Sequence, residues 1–259
     1  MKFFLDAANV LDPVNEPQKA VGEALHLQNS VTKLRMLYLD GERRELNAAG
    51  WNVRLRTIEE KDGVELTYKK RFPVEEGKLD AVLDQAANEG FGRDENDYEA
   101  QVEWGLTRQT LSFTRKKIVD QPGLRKMELP EAADARKVSI AKIAGKLDRV
   151  NHEGWARDVL AQAHSYGPVK GRRWSGHLNG TKLDLEVWEI LTKDGKGFEP
   201  IVELSFKEDD RTKAEARRSK LKDLLQGTDW LLKQEILKTQ LILDRYGKTP
   251  GADQTQRSR

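Results

Sequence analysis

Charged side chains in this sequence alternate along strand-like stretches so that they share single faces. In WNVRLR, Arg54 and Arg56 lie on one face, with Val53 and Leu55 on the other. In VELTYKKRF, Glu65, Thr67, Lys69 and Arg71 share a face opposite Leu66 and Tyr68. Successive side chains of a strand point to opposite sides, so this region carries its cations on one side only. The pattern returns late in the chain with acids. Arg173, Ser175 and His177 oppose Trp174 and Leu178; Asp184 and Glu186 oppose Leu183, Leu185 and Val187; Glu203, Ser205 and Lys207 oppose Val202, Leu204 and Phe206. Arginine and lysine grip anions, and carboxylates hold hard divalent cations. Polyphosphate together with Mg²⁺ or Mn²⁺ satisfies both groups.

An amphipathic sheet with its charged side in water would show the same alternation strand by strand. The difference lies in closure. If the sheet curls shut with its apolar faces outward under helices, the charged faces line a polar lumen. Partly desolvated charges there are costly unless they pair or hold a charged ligand.

Composition narrows the class. Of 259 residues, 34% are charged, but 45 Lys and Arg against 43 Asp and Glu leave only +2, which argues against a nucleic-acid partner. With no cysteine, disulfides, zinc–thiolate sites and cysteine nucleophiles are excluded. His26, His152, His164 and His177 show no ligand spacing, and only His177 shares lumen parity. The opening MKFFLDAANVLD is too short an apolar run for a signal peptide, and no stretch approaches the roughly 18 apolar residues of a membrane span. A soluble cytoplasmic protein is expected.

The elements that must position these residues are mostly strands. Strand-like stretches are expected at 2–5, 31–40, 98–104, 108–119, 171–178, 182–191 and 199–207, beside the two that meet at Asp62-Gly63. That dipeptide and Asn179-Gly180 are strong hairpin turns. Helices are expected after Pro17, over 77–91 with Gly90 as the stop, over 138–164 in two pieces broken near 151–154, over 211–226, and from a Thr228 cap onward. Residues 120–137 read as an irregular excursion. The whole reads as one α+β domain over 1–247, an eight-stranded antiparallel β-barrel or tunnel with a polar lumen, flanked by helices. Residues 248–259 read as a disordered tail.

The order of motifs resembles the CYTH family, the triphosphate tunnel metalloenzymes: Tyr38-Leu39-Asp40, AGWNVRLR, LTYKK, then GRRWSGHL, LDLEVWEI and PIVELSF. The resemblance runs through most of 1–246, with a poor match over about 106–165. It implies an eight-stranded tunnel that binds a triphosphate and hydrolyses its terminal phosphate with metal assistance. By position, Arg54, Arg56, Lys69 and Arg173 match phosphate-holding cations. Glu186, with Asp184, matches the acidic position of the penultimate strand, and Glu203 the first glutamate of a closing Glu-x-Glu. The family's opening Glu-x-Glu-x-Lys is matched only at Lys2, which joins the phosphate-binding set. Both opening glutamates are missing, and Ser205 stands where the closing strand carries its second glutamate.

The resemblance therefore implies Glu186 and Glu203 as catalytic, and these two with Asp184 as ligands of Mg²⁺ or Mn²⁺. Glu65, Glu99 and Glu103 share lumen parity and are spare carboxylates. The expected function is metal-dependent hydrolysis of inorganic, thiamine or nucleoside triphosphate. The alternatives are a degenerate module that only binds a small-molecule polyphosphate, and an interaction domain whose inward charges pair with one another.

Overall fold

The structure, a computed structural model, describes residues 1–75, 77–92, 97–121 and 123–247. The expected tail, 248–259, lies outside these. Nine strands, all paired antiparallel, form one sheet: β1 (Lys2–Leu5), β2 (Val31–Asp40), β3 (Trp51–Ile58), β4 (Val64–Val74), β5 (Glu99–Trp104), β6 (Gln109–Val119), β7 (His164–Leu178), β8 (Thr181–Leu191) and β9 (Phe198–Ser205). Their order across the sheet is β1-β9-β8-β7-β2-β3-β4-β6-β5. Among the described residues the strands number nine, where an eight-stranded barrel was expected.

The sheet is curled, and its closure differs from that of a laddered barrel. β1 and β5 form the two ends of the hydrogen-bonded order and do not pair with each other. Side chains and helix α8 (Arg211–Gly227) draw the ends together instead. Lys207 meets Glu99 at 3.2 Å, and Arg218 donates to the Gly105 and Leu106 carbonyls at 2.9 and 2.8 Å.

Turn chemistry sets the registers. Asn179 and Gly180, both at positive φ (49° and 75°), join β7 to β8 as the tight connection that two left-handed residues favour. Asp62-Gly63 lies in a longer connection, residues 59–63, rather than in a two-residue turn. β7 begins at His164, well before the expected 171, because its first half pairs with β2. Gly167 and Pro168 disguise it in the sequence. Pro168, with no N–H to give a ladder, sits beside the register shift between Met36 and Tyr38, where a proline is tolerated.

Three apolar clusters flank the sheet. One packs α4 (Leu79–Asn88), α5 (Ala132–Ala141) and α7 (Trp155–Ala161) on the outer faces of β3, β4 and β6, through Val82, Ala86, Ala135, Trp155 and Leu160. A second sets Val21, Leu25, Leu221 and Leu225 against β1, β8 and β9. The third is on the inner face: Ile242 and Leu243 of α9 (Lys238–Tyr246) pack on Leu34, Met36, Tyr38, Val169, Trp188 and Ile190. The final helix thus fills one end of the concave face and leaves the other polar.

Two helical expectations change. The stretch 138–164 holds α5, α6 (Gly145–Asp148) and α7, with α5 starting inside the supposed excursion. The last helix starts at Lys238, not after Thr228, because Leu231 bridges to Leu5 and Leu232 donates to the Phe4 carbonyl. Tertiary pairing outweighs the helical spacing of that stretch. No helix among the described residues is long and apolar enough to cross a membrane.

Candidate functional site

Strand register brings the two charge groups onto one inner surface. Arg54 faces Thr67 and Arg56 faces Glu65 between β3 and β4; Arg173 faces Glu186, and Glu186 faces Glu203, across β7, β8 and β9; Lys2 faces Ser205 between β1 and β9. Cross-strand partners share a face, so every one of these positions looks inward. Arg172, one residue away from Arg173, turns outward and binds Glu16 at 3.1 Å.

On the β3–β4 wall, Arg54 and Arg56 converge on a single carboxylate oxygen of Glu65, at 3.2 and 2.7 Å. Burial would raise the Glu65 pKa, but the Arg56 and Arg54 guanidiniums outweigh it and hold it low. Burial, and then Arg54, lower the Arg56 pKa to about 10. Two cations on one acid leave a surplus positive charge. Lys69 contacts Glu103, which also accepts from Ser112 Oγ at 3.2 Å. Burial depresses the Lys69 pKa, and the fields of Arg71, Lys2, Arg54 and Lys116 add to it. Together they bring it to about 5, so Lys69 holds its proton far less firmly than an ordinary lysine.

Arg71 differs from the rest. It has the same inward parity, yet its side chain has no acid or hydrogen-bond partner among the described residues. Burial lowers its pKa, and Arg54 lowers it further. The sequence places Arg71 on the charged face and by itself assigns it no role. Its spacing of two from Lys69 is the signal that could have found it.

On the opposite wall, Arg173 donates to Glu186 Oε1 through Nε (2.9 Å) and Nη2 (2.5 Å), and Trp188 Nε1 donates to Oε2 at 3.0 Å. Glu203 meets Lys2 at 3.3 Å through Oε1. Lys238, at the start of α9, reaches between the acids: its Nζ is 2.8 Å from Glu203 Oε2 and 3.6 Å from Glu186 Oε2. The shorter contact is ionic rather than a directed hydrogen bond, since no donor is aligned on that oxygen. Burial would raise the Glu203 pKa, but Lys2 and Lys238 hold it at about 2. Glu186 is also held low: burial and Glu203 push it up, and Lys238 and Arg173 overcome them. Nothing in the sequence signalled Lys238, which reaches this site only because α9 folds back into the lumen.

Asp184, the third expected metal ligand, faces Ser205 and accepts from Ser175 Oγ at 2.7 Å. Among the described residues no group of three His, Cys, Asp or Glu stands close enough to hold a metal ion. With Lys238 between them, Glu186 and Glu203 do not fit a divalent cation. Of the spare carboxylates, Glu65 and Glu103 are tied to lumen cations, and Glu99 bridges Lys116 and Lys207. His177 is exposed near the end of β7.

No protein-family profile and no curated protein matches the chain. Its fold does match solved structures. A protein from Hippeastrum, HpAC1, presented as a proposed adenylyl cyclase with a dominant triphosphatase activity, aligns over 96% of this chain and 95% of its own, with a TM-score of 0.51 and 14% identity. A proposed adenylate cyclase from Bacillus halodurans aligns over 93% and 94%, with a TM-score of 0.49 and 12% identity. The PH1012 protein from Pyrococcus horikoshii OT3 aligns over 90% and 89%, at 0.42 and 14%. Identity this low speaks to fold alone, and the fold is of the CYTH, triphosphate-tunnel kind.

Proposed function

We propose that the polar end of the concave face binds the triphosphate group of a small molecule. Arg71 carries this reading. A buried guanidinium with no acid partner among the described residues is costly, and here it stands beside Arg54 and Lys69; with Arg56 these make three cations against two acids, Glu65 and Glu103. A polyanion laid along β3 and β4 supplies the missing charge, and arginine forks suit phosphate oxygens. Lys2 and Arg173 on the facing wall complete the grip. A curled sheet with one end filled by α9 favours a compact ligand over a nucleic-acid duplex. The triphosphatase activity named for the Hippeastrum protein agrees with this ligand class.

The test is thermal unfolding with tripolyphosphate, thiamine triphosphate and ATP, with and without Mg²⁺ or Mn²⁺. A ligand that binds only the folded state raises its midpoint. Upward, saturable shifts that disappear in Arg71→Met support the reading, and no shift with any of the three at millimolar concentration sinks it.

Hydrolysis is the second reading, favoured by the placement of Glu186 and Glu203 face to face at one end of the cation run. Phosphoryl transfer asks chiefly for positioning and charge stabilisation. Arg54, Arg56, Lys69 and Arg173 would orient the phosphates and absorb charge as a water oxygen bonds to the terminal phosphorus, the P–O bond to the rest of the ligand breaks with its electron pair on the leaving phosphate oxygen, and the water's proton passes to bulk solvent or phosphate. Because Lys238 fills the space between the two acids, we route no step through a metal. Phosphate release in the same ligand and metal series tests this reading, and no release in any arm rejects it.

A further inference from the structure

Two buried carboxylates on neighbouring strands repel unless one is protonated or a cation stands between them. Glu186 and Glu203 are such a pair, and every one of their oxygens is engaged. Arg173 takes Glu186 Oε1, Trp188 Nε1 and the Lys238 ammonium take Oε2, Lys2 takes Glu203 Oε1, and Lys238 takes Oε2. The ammonium also stands 4.4 Å from the Trp188 ring centroid, a cation–π contact beneath the ion pair.

Lys238 does not swing on a loose arm. It is the first residue of α9, whose other end is anchored: Arg44 pairs with Asp244 and donates to the Leu243 carbonyl at 3.1 Å, and Arg245 meets Glu199 at 2.9 Å. Ile242 and Leu243 are buried in the inner cluster. The tertiary fold therefore delivers one positive charge within reach of both acids, nearer to Glu203.

We propose that Lys238 is the built-in cation of this site. Its ammonium stands where two facing carboxylates would otherwise capture a divalent ion, so the tunnel takes its anion without a metal. Mg²⁺ requires charged oxygens at about 2.0–2.1 Å in near-octahedral array, and an ammonium lodged between these two facing acids denies that geometry. The identity of the anion, and nothing else here, rests on the reading proposed above.

Mn²⁺ alone is the probe, titrated without phosphate at neutral pH and followed by the loss of the free-ion EPR signal. Wild-type protein is expected to show no saturable uptake at millimolar Mn²⁺. Lys238→Gln is expected to gain one site, roughly tenfold tighter or more, because two carboxylates now face each other without a counter-charge. Adding Glu203→Gln to that variant should remove the site, and Lys238→Arg, which keeps the charge, should not create it. Saturable uptake by the wild type that Glu203→Gln abolishes overturns the inference, as does a folded Lys238→Gln with no gain. Should Lys238→Gln fail to fold, wild type against Glu203→Gln still decides. In a second arm, tripolyphosphate is titrated into wild type in EDTA. Binding there supports the inference, and binding only with Mn²⁺ overturns it. Absence of binding in both conditions rejects the ligand assignment and leaves the Mn²⁺ result to stand on its own.

Discussion

Gly171 lies directly beneath the Trp188 indole. A Cβ at that position would stand 2.6 Å from ring atom Cε3, closer than real contacts allow. The two residues are cross-strand partners, and the missing side chain leaves room for the indole to lie flat over β7. From there Trp188 donates to Glu186 and underlies Lys238. One glycine therefore sets the position of an acid and a cation on the functional face.

Gly171→Ala should push Trp188 off the strand. Overpacking of this kind costs about 1–3 kcal/mol, so the urea midpoint should fall, and Trp188 should show altered fluorescence against a Trp188→Phe background. An unchanged midpoint would mean that the indole has a second place to go.

Arg71→Met should separate stability from binding. Removing a buried charge that no acid contacts among the described residues should stabilise the unliganded protein by about 1 kcal/mol. Tripolyphosphate affinity, read by calorimetry, should fall roughly tenfold or more. A variant that is less stable and binds normally would show that Arg71 serves packing instead.

Glu65→Gln should do the reverse. It frees Arg54 and Arg56 from their shared carboxylate, leaving two partly buried guanidiniums without an acid. Stability should drop, while tripolyphosphate affinity should rise several-fold because the ligand no longer competes with an internal anion. Weaker binding by this variant would count against direct contact between these arginines and the ligand.

Acid should act through Glu203. Its folded pKa of about 2 lies below the ordinary 4.5, so in the range between them the unfolded chain binds more protons. The stabilisation is complete above pH 4.5 and is lost as pH falls toward 2. It is worth on the order of 3 kcal/mol. Glu203→Gln should therefore lie below wild type in urea midpoint at neutral pH, with the gap closing between about pH 4.5 and 2. A constant gap would place the acid sensitivity elsewhere.

Strand parity is a local property with a period of two, so the faces of Arg54, Arg56, Lys69, Arg71, Arg173, Glu186 and Glu203 were legible from their neighbours alone. Turns were legible where one residue type settles them, as at Asn179-Gly180. Residues 164–170 were not: Gly167 and Pro168 weaken any strand pattern, and only pairing with β2 makes the segment a strand. Residues 231–236 carry helical spacing but are extended in part, because Leu231 and Leu232 bond to β1.

By itself the sequence determined which side chains share a face and where the chain turns, because alternation and left-handed dihedrals depend on adjacent residues. Only the tertiary structure decided which charges meet. It tied Arg54 and Arg56 to Glu65, left Arg71 with no contacting acid among the described residues, and carried Lys238 from late in the chain to a point between Glu186 and Glu203. Those pairings follow from how far the sheet curls and where α9 packs, and both are settled by apolar burial spread over the whole chain.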